Sequence, residues 1–111
     1  MRTLKFIVNK QIITLDPNCD LSGLIPGSEG YLQAEFSFTP EWKNCVKVAA
    51  FYSFLGKEYQ PQLLKDGKRC MITAEALKGR RFKVQVIGKN PDSDFKITTN
   101  KVTVCQNGGK E

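Results

Sequence analysis

Apolar positions recur with a period of two through much of the chain, the spacing of strands that bury one face. From Tyr31 onward, Leu32, Ala34, Phe36 and Phe38 share one face, while Tyr31, Gln33, Glu35 and Ser37 share the other. In residues 80–87, Phe82, Val84 and Val86 alternate with Arg81, Lys83 and Gln85, giving one apolar and one basic, polar face. β-Branched and aromatic content predicts further strands over residues 4–8, 11–15, 45–55, 58–64, 69–73 and 95–105. Asn9-Lys10, residues 39–44, Gly56-Lys57, Asp66-Gly67 and Asn90-Pro91-Asp92 supply the turns. Near Asn100 the alternation slips, which predicts a break or bulge in the last strand. Only residues 73–78 read as helical, for about one turn before Gly79 ends it. Residues 16–30, with Pro17, Pro26 and three glycines among polar residues, form one long loop. Trp42, at the mouth of its turn, is placed to lid the core.

Seven or eight short strands at this spacing predict an all-β fold, a β-sandwich of mostly antiparallel strands with one short helical turn. A chain of 111 residues has room for one core, so residues 1–105 are read as a single domain and 106–111 as a mobile tail. The apolar share of 41% and charged share of 25% are ordinary globular values and argue against disordered and membrane classes. No apolar run is long enough to span a bilayer, and charge interrupts the first residues, so neither leader nor anchor is expected.

Charge and reactive side chains change the picture in two ways. The chain contains no histidine, which removes the commonest general base and metal ligand, and no phosphate-cradling glycine motif is present. The acidic residues are scattered, so no catalytic residue, cofactor site or metal site is expected. Cys19, Cys45, Cys70 and Cys105 lack metal or redox spacing; they read as reduced, mostly buried thiols, with a Cys45–Cys105 disulfide between facing sheets as the alternative. The net charge of +6 is concentrated, since Lys65, Lys68, Arg69, Lys78, Arg80, Arg81, Lys83 and Lys89 oppose only Asp66 and Glu75 in one stretch. Such a stretch is either a partner-binding surface or a solvated face kept soluble by charge. Lys65, Lys68, Arg69, Lys78, Arg80, Arg81 and Lys83 are the candidate partner-binding residues. Only Phe82 lies among them, on the core side, so stacking on bases is poorly supported. Tyr31, Tyr52 and Tyr59 are further candidate anchors for a protein partner.

The run Gly30-Tyr31-Leu32-Gln33-Ala34-Glu35-Phe36-Ser37-Phe38-Thr39-Pro40-Glu41-Trp42, followed by Lys47-Val48-Ala49-Ala50-Phe51-Tyr52, resembles the immunoglobulin-like β-sandwich domains of tailed-bacteriophage virion proteins. Residues 70–79 and 95–104 continue that pattern in the same order. The resemblance implies a non-enzymatic structural or adaptor protein, made in the bacterial host cytoplasm and carried in the virion. Its partners would be capsid, neck, tail or baseplate proteins, with self-association among the options and no membrane. Docking would use strand edges, the loop of residues 16–30 and the basic stretch. Two other functions remain open: a small phage-encoded inhibitor of a host protein, and a basic nucleic-acid-binding protein.

Overall fold

The computed structural model describes residues 1–106 and is an all-β fold of nine strands in two sheets. Sheet A runs β2-β1-β3-β6, with β1 at Arg2–Asn9, β2 at Ile12–Leu15, β3 at Leu32–Phe38 and β6 at Arg69–Met71. Sheet B runs β5-β4-β7-β8, with β4 at Val46–Ser53, β5 at Gln62–Leu63, β7 at Arg81–Lys89 and β8 at Lys96–Thr98. β9, at Val102–Cys105, pairs with the other half of β7.

The period-two residues close the core. Leu4, Phe6 and Val8 of β1 and Leu32, Ala34 and Phe36 of β3 face Ala49 and Phe51 of β4 and Phe82, Val84 and Val86 of β7 in one buried cluster. Phe6, Phe36, Phe38 and Trp42 form a row of rings with successive centroids 5.1, 6.1 and 5.1 Å apart. Trp42 follows Pro40 in a single 3-10 turn and is fully buried, its indole N–H donating to the Lys10 carbonyl at 2.8 Å. Seven register pairs from Arg2↔Leu32 to Val8↔Phe38 make β1 and β3 parallel, whereas the other ladders are antiparallel.

The predicted break falls at residues 99–101, between β8 and β9, and it serves as a seam. The Asn100 side chain accepts from the Ile13 amide at 2.8 Å, the Asn100 amide donates to the Gln11 carbonyl, and Gln11 Nε2 reaches the Thr98 carbonyl. On the opposite side the Leu64 amide donates to the Lys47 carbonyl of β4, and an isolated bridge between Lys65 and Arg69 closes the turn that leads into β6. The seam joins the β2 edge of sheet A to the link between β8 and β9 of sheet B, and β5, on the far edge of sheet B, is only two residues long.

Other expectations fare unevenly. Of residues 58–64, Gln62–Leu63 form the ladder and Glu58 a single bridge to Tyr52; residues 59–61 between them are not in a strand, and Pro61 lacks an N–H. The helical turn is α1, Ala74–Leu77, with the Thr73 hydroxyl accepting from the Ala76 amide. All four cysteines are free, and Cys105 is exposed while only Cys70 is buried. Cys45 lies beside the Lys89 end of β7 and Cys105 pairs with Arg81 at the other end. They therefore stand roughly 25 Å apart along one sheet, beyond disulfide reach. Gln106, assigned to the tail, is buried: its Nε2 donates to the Leu77 and Gly79 carbonyls and its amide to that of Arg80. The remaining tail, residues 107–111, lies outside the described residues.

Candidate docking face on sheet B

The basic stretch does not fold into one patch. Lys65, Lys68 and Arg69 sit around the Asp66-Gly67 turn at the edge of sheet A, where Arg69 Nε lies 3.2 Å from the Glu35 carboxylate. Lys78 caps the end of α1, and Arg80 belongs to the link into β7. Arg81 and Lys83 stand on the outer face of β7, with Lys89 at its far end. Strand alternation explains the division, because a run continuous in sequence is dealt to two sheets and two faces once it folds.

The outer face of sheet B collects what the sequence spreads out. Arg81, Lys83, Lys89 and Lys96 project from its strands, and Lys101 joins them from the seam. None of β4, β5, β7, β8 or β9 contains an acidic residue. The register places Val46, Val48, Ala50 and Tyr52 of β4 opposite Lys89, Ile87, Gln85 and Lys83 of β7 on this face.

Its two ends differ in chemistry. At one end Val46, Val48, Ile87 and Pro91 line a shallow hollow of ≈ 600 Å³ flanked by Lys89 and Lys96. Val46 and the adjoining Leu63 are 51% and 63% exposed, an apolar surface with no layer above it. At the other end the Phe54 ring carries Arg81, whose guanidinium carbon is 3.9 Å from the ring centroid, and Lys83, whose ammonium is at 5.2 Å. Between them the Tyr52 hydroxyl donates to Gln85 Oε1 at 2.7 Å, and Gln85 Nε2 donates to the Thr99 carbonyl. Lys101 lies over the Tyr52 ring at 4.0 Å. Burial, then the nearby Glu58 carboxylate, pushes the Tyr52 hydroxyl above its ordinary pKa, so it stays a neutral donor.

The other candidates fare unevenly. Tyr52 is largely buried and Tyr59 packs against the core, whereas Tyr31 is half exposed. The loop of residues 16–30 is tied down: Arg2 donates to the Asp20 and Ser22 carbonyls, the Gly27 amide donates to the Leu77 carbonyl, and Leu24 is buried. Sequence reasoning passed over Phe54, Leu63, Lys96 and Lys101. The available signal is β4, where apolar residues occupy both parities of Val46–Ser53, so its outward face is apolar as well as its core face. Among the described residues no group of histidine, cysteine or acidic side chains is gathered as a metal site. No family model, curated protein or solved structure matches the chain.

Proposed function

We propose that this chain is a non-enzymatic adaptor that docks on another protein through the outer face of sheet B. The observation that carries this reading is the acid-free sheet whose outward cations surround uncovered apolar and aromatic side chains. Apolar area supplies affinity there, and the surrounding charge selects an acidic partner and speeds encounter. A sequence without histidine is poorly equipped for acid–base chemistry, which supports binding over turnover.

The specific form of the reading is a virion structural subunit with an immunoglobulin-like fold, held on a capsid, neck, tail or baseplate lattice. The resemblance over residues 30–42, 47–52, 70–79 and 95–104 supports it. So does the strand order, since β1-β3-β6 in one sheet and β4-β7-β9 in the other follow the A-B-E and C-F-G arrangement of that fold. The parallel β1–β3 pair departs from its antiparallel sheets. On a repeating lattice, many copies each making a modest contact give durable attachment. Quantitative mass spectrometry of phage particles purified from cells producing the chain tests this form. The chain is expected at a fixed ratio to the other particle proteins; presence only in the soluble lysate would refute the virion assignment and favour an inhibitor of a host protein.

A further inference from the structure

We infer that the Phe54 end of sheet B is an anchor for an acidic segment of the partner protein, one that places an apolar side chain beside a carboxylate. The inference rests on the docking reading above and names what the face grips. The Arg81 guanidinium carbon lies 3.9 Å from the Phe54 ring centroid, a contact that restricts where the group can go, and its side chain has no hydrogen bond or ion pair among the described residues. A guanidinium stacked on a ring keeps its in-plane N–H groups available, and that fork matches a carboxylate. Lys83 adds a second positive charge on the same ring.

Beside this pair is a cleft of ≈ 260 Å³ whose walls include Phe54, Leu55, Tyr59, Ala76 and Arg81. Leu55 is 95% exposed, and none of the described residues covers it. The cleft thus offers apolar walls within reach of a fixed cation, the complement of an apolar residue next to an acidic one. A second copy of the chain is a poor occupant, because a two-fold contact through this face would set its lysines and Arg81 against their own equivalents. A nucleic-acid strand also fits poorly: stacking of successive bases needs a succession of open rings, and here one ring already carries two cations.

The test measures fluorescence anisotropy of three labelled probes at low salt: a short peptide alternating glutamate with leucine, an all-glutamate peptide of equal length, and an oligothymidylate. The alternating peptide is expected to bind tightest. Arg81→Ala is expected to weaken it by about tenfold, the equivalent of losing one charge-assisted hydrogen bond. Arg81→Lys, which keeps charge but loses the planar fork, should lose most of that affinity as well. Lys5→Ala, on the outer face of sheet A, should leave binding within about twofold. Unchanged circular dichroism melts show that the variants fold. Tighter binding of the oligothymidylate, wild-type affinity in Arg81→Ala, or no binding of either peptide would each overturn the inference. Failure of peptide binding alongside normal incorporation into particles removes this anchor alone; peptide binding by a chain missing from particles removes the virion assignment alone.

Discussion

Gly88 is where a single added methyl group should do the most damage. It lies within β7 beneath Trp42, and its φ is outside the left-handed region, so alanine is acceptable to the backbone and the objection is purely steric. A Cβ there would sit 2.8 Å from both Cε3 and Cζ3 of the indole and 3.3 Å from Cys45 Cβ. Ordinary carbon contact begins near 3.4 Å, so the ring must retreat by about 0.6 Å in a close-packed interior. The ring has little freedom, because its N–H is bound to the Lys10 carbonyl at 2.8 Å and its face meets Phe38. Overpacking of this kind costs about 1–3 kcal/mol, and losing the indole hydrogen bond adds about 1 kcal/mol. Gly88→Ala should therefore destabilise the fold by about 2–4 kcal/mol and lower Tm by roughly 8–20 °C. Trp42 is the sole tryptophan, so its fluorescence during urea unfolding reports on this site directly. A loss under about 0.5 kcal/mol would refute the steric argument. So would additivity with Trp42→Leu, because removing the ring should make the extra methyl nearly free.

Other expectations follow from the same contacts. Burial pushes the Cys70 thiol up to about 12 from 9.0, so the neutral form is favoured in the folded state. Its contribution is complete below pH 9 and is lost as pH rises toward 12, at about 1.4 kcal/mol per pH unit; denaturation curves should lose that slope in Cys70→Ala. In thiol labelling at pH 8, exposed Cys105 should react in the native protein and Cys70 only after unfolding. Asn100→Ala strips the acceptor from the Ile13 amide, at a cost of about 1–2 kcal/mol, and hydrogen exchange at Ile13 should accelerate while β7 amides keep their protection. Gln106→Ala should cost about 1–3 kcal/mol by removing the side-chain donor to the Gly79 carbonyl and one of two donors to the Leu77 carbonyl, as measured by urea unfolding.

The core was legible because alternation reports burial directly: residues 31–38 and 80–87 presented the faces they now bury, and the slip at Asn100 marked the break between β8 and β9. The stretch around Pro61 is harder to read, because composition alone cannot tell a continuous strand from short paired pieces interrupted by irregular chain. Gln106 was assigned to the tail because a polar residue near glycines gives no hint of two backbone carbonyls waiting far away in sequence. The basic stretch was found, but its partition between sheets depends on pairing, which pattern does not encode. Phe54 drew no notice for the same reason, since Arg81 and Lys83 lie 27 and 29 positions further along the chain.

The parallel pairing of β1 with β3 also bears on how the polypeptide matures during translation. β1 leaves the ribosome ahead of the other strands of sheet A, yet its partner Phe38 follows Val8 by 30 positions, and the sheet is complete only when Met71 has appeared. At usual elongation rates that interval lasts roughly 3–12 s. Throughout it, a hydrophobic hairpin waits with one side open. Slower growth at low temperature, or a chaperone that holds the nascent amino-terminal end, should therefore raise the soluble yield more than any change near the carboxyl terminus.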